Sequence, residues 1–155
     1  MLPYSTTQPS KTMDVKRAMK YSRMVANWLR TKGYTVEYSY NAVDEIQFAD
    51  KKIIISTRTS PENRLYSLLH ECGHLLEYNN SASYRKKYPL AERILLDART
   101  QQSIQGRVET VGEEIEAWNK GDKLADRLGI KMNKQRYKKY AAKQVITYID
   151  WASER

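Results

Sequence analysis

The sequence contains a single cysteine, Cys72, so the chain cannot form an intramolecular disulfide. It also has no apolar run that approaches the roughly 18 residues of a membrane-spanning helix. Residues 1–4 lack the charged start and the apolar stretch of a secretory signal peptide. These absences predict a soluble, cytoplasmic protein without a membrane segment.

Histidine is nearly as scarce, and the two that occur lie four residues apart in the stretch LLHECGHLL, a match to the HExxH pattern. On an α-helix this spacing places His70 and His74 on one face, where both imidazoles can bind one zinc ion at about 2 Å. The neighbouring Glu71 can hydrogen-bond a metal-bound water, whose pKa zinc lowers to roughly 7. The pattern therefore predicts two zinc ligands and Glu71 as the general base.

The residues around this pattern predict a helix over about 61–79. Ser60 can act as the N-cap, and Pro61 suits the first helical position. Six apolar residues follow at helical spacing and form one stripe: Leu65, Leu68, Leu69, Cys72, Leu75 and Leu76. We expect this stripe to face the core and the histidines to face a cleft, with Gly73 leaving room for a close approach.

A catalytic zinc ion needs a third protein ligand, and the absence of further histidine leaves Asp or Glu to supply it. A helix predicted over about 108–128 carries Glu113, Glu114 and Glu116. At about 100° per residue, Glu114 lies on the apolar stripe, whereas Glu116 projects toward water and Glu113 is intermediate. A buried carboxylate needs a partner such as a metal, so we predict Glu114 as the ligand and keep Glu113 as the alternative.

The chain as a whole is predicted to be a single α+β domain over residues 1–155, mostly helical, with an irregular arm over 1–12. Three short strands, near 34–40, 45–48 and 52–56, are expected to form an antiparallel sheet that precedes the HExxH helix. The strand containing residues 53–55 is the expected cleft edge for an extended substrate. Further helices are predicted over about 13–32, 90–103 and 133–152, with a loop over 80–89.

Strands, an HExxH helix and a later helix bearing Glu114-x-x-Ala117 together resemble the zincin metallopeptidases, and among them the compact ImmA/IrrE-like proteins of phages and mobile elements. The resemblance covers about residues 34–128. It implies a cytoplasmic zinc peptidase that acts on a protein or peptide, with His70, His74 and Glu114 as zinc ligands and Glu71 as the base. The chain departs from the pattern at Trp118, where such proteins often carry Asn or Asp.

The net charge of +9, with a sequence pI near 9.6, also predicts an acidic protein or nucleic acid as a partner. The densest basic groups are 85–87 and 134–139. They leave open a second function, a basic binding protein in which zinc is structural or absent. A structural zinc site normally has four protein ligands, and no fourth ligand can be found in this sequence.

Overall fold

A computed structural model describes residues 11–154, which are mostly helical with one small sheet. The helices are α1 (Val15–Thr31), α2 (Pro61–Asn79), α3 (Ser81–Lys87), α4 (Ala91–Leu96), α5 (Ala98–Gln102), α6 (Ile104–Arg127) and α7 (Lys134–Ser153). The strands are β1 (Thr35–Ser39), β2 (Glu45–Gln47) and β3 (Lys52–Ser56). The α+β prediction is confirmed. Most of the predicted N-terminal arm lies outside the described residues.

The sheet has the strand order β1-β3-β2, with β3 in the centre. β1 pairs with β3 in parallel, placing Val36 opposite Ile53, and β2 pairs with β3 antiparallel, placing Ile46 opposite Ile53. The predicted antiparallel sheet is therefore wrong in one pairing. The physical reason is burial, because Ile53 and Ile55 are fully buried and a central strand has neighbours on both sides.

This strand order also corrects the expected substrate edge. β3 is paired on both sides, so residues 53–55 cannot accept an added strand. Within the part of the chain that the structure describes, the free edges of the sheet belong to β1 and to β2. β2 contacts α2, the helix that carries the histidines, and is therefore the edge placed to meet an extended chain at the site.

α2 is the central element of the fold. It packs against α1, β3, α6 and α7, and its apolar stripe is buried as expected except at Leu76, which is only partly buried. Its polar side is buried as well: Ser67, Glu71 and Glu77 are each at most 5% exposed. The prediction that this side faces an open cleft is thus only partly correct, since α6 covers much of it.

The predicted helix ends are confirmed where a cap defines them. Ser60 accepts a hydrogen bond from the backbone N–H of Asn63 at 3.2 Å, and Asn133 caps α7 in the same way. Gly33 and Gly129, which follow α1 and α6, have positive φ angles of 80° and 71°. Both angles suit the left-handed conformation that ends a helix.

The segment 80–106 differs from its prediction. Residues 81–87, predicted as a loop, form α3, and the helix predicted over 90–103 is divided at Asp97 into α4 and α5. Asp97 accepts a hydrogen bond from the N–H of Arg99, and Ser103 accepts one from the N–H of Gly106. Each cap starts a new helix, so α6 begins at Ile104, before the start near residue 108 that the sequence predicted.

None of the helices within residues 11–154 combines the length and the apolar composition needed to cross a membrane.

Candidate metal centre

Two glycines allow α2 and α6 to cross at very short range. A Cβ atom on Gly73 would lie 1.9 Å from the carbonyl oxygen of Ala117, and one on Gly121 would lie 2.6 Å from that of Leu69. Only glycine permits backbones to approach so closely. The room expected beside Gly73 is therefore filled by the backbone of α6, which brings its carboxylates against the histidines of α2.

His70, His74 and Glu114 converge at this crossing. Oε2 of Glu114 lies 3.0 Å from Nε2 of His70, and Oε1 lies 3.2 Å from Nε2 of His74. The two histidine Nε2 atoms are 3.2 Å apart. The structure thus brings together three residues that the sequence analysis selected, from two helices separated by a long segment.

The spacing of these donor atoms suits a metal ion. Two ligand atoms of a tetrahedral zinc site, each about 2.0 Å from the metal, lie about 3.3 Å apart. All three measured separations are close to this value. Two imidazole nitrogens and a carboxylate are also a donor set typical of zinc. The cluster can therefore hold a metal ion, and its residues fit zinc.

The neighbouring histidines keep Glu114 ionised, as a metal ligand must be, even without a metal. Burial alone would raise the pKa of its carboxyl, but hydrogen bonds from His70 and His74 outweigh burial and lower the pKa to about 2. Burial likewise opposes protonation of His74, yet the hydrogen bond with Glu114 and nearby carboxylate charge raise its pKa well above the usual value. Glu114 is thus an anion at neutral pH, as a metal ligand must be.

Glu71 lies beside the cluster in a different environment. It is 5% exposed, and its Oε1 lies 4.0 Å from Nε2 of His70. Burial raises the pKa of Glu71 to about 7; the charge of Glu114 raises it further and that of His74 opposes the shift. A carboxyl with this pKa can both accept and return a proton near neutral pH.

Trp118 is part of the site, although the sequence analysis noted it only as a departure from a pattern. Its ring stacks on His70, with ring centroids 4.2 Å apart and an angle of 20° between the planes. Nδ1 of His70 is buried and has no hydrogen-bond partner within residues 11–154, so the stack acts together with the contact between Nε2 and Glu114 to fix the ring. The sequence does indicate this position, because Trp118 follows Glu114 by one helical turn on the same apolar stripe.

Tyr148 is a second residue that the sequence analysis did not select. α7 runs antiparallel to α6: the Tyr137 hydroxyl donates to the Trp118 carbonyl at 2.7 Å, and Arg107 donates to the Ala152 carbonyl at 3.2 Å. This alignment places Tyr148 opposite Glu114. Burial and the charges of Glu114 and Glu71 raise the pKa of Tyr148, so a neutral hydroxyl faces the site.

Comparisons of the chain with protein-family models, with curated proteins and with solved structures find no match. The site itself is therefore the basis for the functional argument.

The other two glutamates that the sequence offered as the third ligand have partners elsewhere. Glu113 accepts a hydrogen bond from the Tyr84 hydroxyl at 2.7 Å. Glu116 accepts one from the Tyr88 hydroxyl at 3.0 Å and pairs with Lys87. The prediction that Glu116 projects into water is wrong, because α3 and the residue after it cover that side chain.

The two basic groups are partly neutralised within the chain. Their ion pairs join Arg85 to Glu92, Lys87 to Glu116, Lys134 to Asp122 and Asp126, and Arg136 to Glu62. Lys138 and Lys139 are exposed. An acidic partner or nucleic acid stays a prediction, with a smaller basic surface than the sequence suggested.

Proposed function

We propose that this chain is a zinc-dependent metallopeptidase with His70, His74 and Glu114 as zinc ligands and Glu71 as the general base. The observation that carries the proposal is the convergence of the three donor atoms at 3.0–3.2 Å beside a buried carboxyl with a pKa of about 7. The sequence resemblance to ImmA/IrrE-like peptidases adds the reaction class, peptide-bond hydrolysis.

The number of donors supports a catalytic site over a structural one. Within residues 11–154 the cluster contains three potential ligands and no fourth His, Cys, Asp or Glu. Structural zinc sites are normally closed by four protein ligands, whereas catalytic sites keep one position for water or substrate. A carboxyl next to the first histidine has no function in a structural site.

In the proposed reaction, zinc supplies Lewis acidity toward a water molecule and toward the scissile carbonyl. Glu71 accepts the proton of the attacking water and delivers it to the leaving amine. We assign the Tyr148 hydroxyl as the donor for the oxyanion that develops on the carbonyl oxygen, because α7 brings it under the influence of the charges of Glu114 and Glu71. The edge of β2 would hold the substrate backbone in an extended form.

The test combines metal analysis with one conservative substitution. Purified protein that has never met a chelator should contain one zinc ion per chain and should cleave members of a mixed peptide library. Glu71→Gln should retain the zinc and lose cleavage, because Glu71 acts on the proton and not on the metal. Glu37→Gln, an exposed carboxylate on β1, serves as the control and should leave both properties unchanged.

Cleavage by Glu71→Gln at the wild-type rate would remove Glu71 from its role. Zinc binding by a wild-type chain that cleaves nothing in the library would contradict the peptidase proposal and favour the basic binding protein.

A further inference from the structure

A cavity of about 680 Å³ opens beside His74, between β2, the end of α2, and α3, α4 and α6. Its walls are largely apolar and include Ile46, Phe48, Tyr78 and Ile94. The rings of Phe48 and Tyr78 stack, with centroids 4.3 Å apart. The cavity is large enough for a long amino-acid side chain and begins at one of the proposed metal ligands.

Two carboxylates line this apolar cavity. Glu77 is 4% exposed, and neither of its oxygens has a hydrogen-bond partner among the described residues; Nδ1 of His74 lies 3.6 Å away, within ion-pair distance but beyond hydrogen-bonding distance. Glu113 is half-buried and accepts its hydrogen bond from the neutral hydroxyl of Tyr84. Among residues 11–154, no lysine or arginine forms a salt bridge with either carboxylate.

The arginine that lines the cavity does not neutralise these two carboxylates. Arg85 also lines the cavity, but its guanidinium pairs with Glu92 at 3.0 Å, and both side chains are about 70% exposed. Apart from His74, whose imidazole must be neutral to bind zinc, no side chain within residues 11–154 compensates the negative charge inside. Burying a carboxylate without a partner is costly, so a site that retains one is suited to a ligand that brings the opposite charge.

We propose that this cavity binds the basic side chain, lysine or arginine, of a peptide substrate next to the bond that is cut. The inference rests on the proposed function for the reaction but not for the binding. The methylene groups of the side chain would pack on the apolar walls while its charged end meets Glu77 and Glu113.

The position of the two carboxylates agrees with a subsite adjacent to the reaction. Glu77 follows His74 by three residues on α2, and Glu113 immediately precedes Glu114 on α6. Two of the three proposed ligands, His74 and Glu114, therefore share a helical turn with a carboxylate of the cavity. A side chain that enters the cavity would hold its own backbone close to the metal centre.

Glu77 has a competing role that the experiment must separate. As a neighbour of His74 Nδ1, it can orient that ring, and its loss would then weaken zinc binding without changing ligand preference. Glu113 offers the cleaner test, because its hydrogen bond is to Tyr84 and not to a histidine. Glu116→Gln is the matched control, since Glu116 lies on the same helix but outside the cavity.

The first measurement is the affinity of two small probes for the intact zinc-loaded chain. The NMR shifts of the Ile46 and Ile94 methyl groups monitor their binding. The probes are N-acetyl-arginine amide and N-acetyl-norleucine amide, which have similar stems but differ in charge. We expect the arginine probe to bind at least about 10-fold more tightly, and expect this preference to fall below about 3-fold in Glu113→Gln and in Glu77→Gln. Glu116→Gln should keep it.

Equal binding of the two probes, or an unchanged preference in Glu113→Gln, would overturn the inference. So would occupation of the cavity by a second zinc ion that displaces the arginine probe. Probe binding without any peptide cleavage would contradict the peptidase and leave the cation site standing. Peptide cleavage without preference for basic residues would contradict the cation site and leave the peptidase standing.

Discussion

The indole ring of Trp118 lies flat on the imidazole of His70, at 4.2 Å between ring centroids. The ring of Tyr137 meets Trp118 nearly edge-on from α7, and the Tyr137 hydroxyl holds the Trp118 carbonyl. His70 is thus oriented by a layer of aromatic rings in place of a hydrogen bond to Nδ1. In many zinc sites a carboxylate or a carbonyl has this orienting role.

The first prediction concerns this stack. Trp118→Phe should keep the fold and reduce zinc affinity, because the smaller ring covers less of His70. We expect a loss of about 10-fold, which is typical when a residue that orients a metal ligand is changed. Trp118→Ala should also destabilise the chain by about 3–5 kcal/mol, since it leaves a cavity in the core. Zinc titration and denaturant unfolding measure the two effects. Wild-type zinc affinity in both variants would show that the stack does not position His70.

Local features of the site could be read from the sequence because they depend on helix geometry alone. The spacing of His70 and His74 fixes their shared face, and the apolar neighbours of Glu114 fix its burial. The structure brings the three residues together as those periodicities predicted. Their action as ligands stays a prediction.

Features that depend on contacts distant in sequence could not be read in this way. The parallel pairing of Val36 with Ile53 depends on how the intervening segment crosses the sheet, and nothing in the alternation of β1 specifies it. Tyr148 faces Glu114 only because α7 folds back along α6. The division of residues 90–103 at Asp97 had a local signal, a capping side chain, which the helical periodicity concealed.

The second prediction separates Glu113, Glu114 and Glu116, the three glutamates of α6 considered as the third ligand. Glu114→Ala should lower zinc affinity by more than about 100-fold, because losing a ligand should exceed the 10- to 100-fold effect of losing an outer-shell partner. Glu113→Ala and Glu116→Ala should retain zinc. Glu116→Ala should still cost about 1 kcal/mol of stability, since Tyr88 and Lys87 lose their partner. Loss of zinc in Glu113→Ala, with retention in Glu114→Ala, would assign the third ligand to Glu113.

The third prediction concerns acid stability and rests on Glu62. Burial opposes ionisation of this carboxyl, but hydrogen bonds from Arg136, Tyr66 and the Met13 backbone lower its pKa below 4.5. Its stabilising contribution is therefore complete above pH 4.5 and is lost as the pH falls through the lower pKa of the folded state. Glu62→Gln should cost about 2 kcal/mol at pH 7 and progressively less at acid pH.

Denaturant unfolding of the metal-free wild type and variant at several pH values measures this difference, so that metal release in acid does not contribute. Glu37→Gln, which breaks only an exposed pair with Lys52, should stay within about 0.5 kcal/mol of the wild type throughout. A stability difference for Glu62→Gln that does not shrink below pH 4.5 would show that charge is not the source of its contribution.

The fourth prediction concerns the crossing of α2 and α6, on which the geometry of the metal centre depends. Gly73→Ala places a methyl group 1.9 Å from the Ala117 carbonyl oxygen, so the two helices must separate. We expect a loss of about 3 kcal/mol or more in stability, together with weaker zinc binding, because His70 and His74 move away from Glu114. Denaturant unfolding of the metal-free chain and zinc titration measure the two effects independently.

Gly112→Ala is the matched control for this prediction. Gly112 also lies in a helix, but its added Cβ would meet nothing closer than a Tyr88 ring carbon at 3.4 Å. Replacing a helical glycine by alanine removes backbone freedom from the unfolded chain and favours the helix by up to about 1 kcal/mol, so this variant should be as stable as the wild type or more so. If Gly73→Ala matched it in stability and in zinc affinity, α2 and α6 would not cross at the distance that brings His70, His74 and Glu114 together.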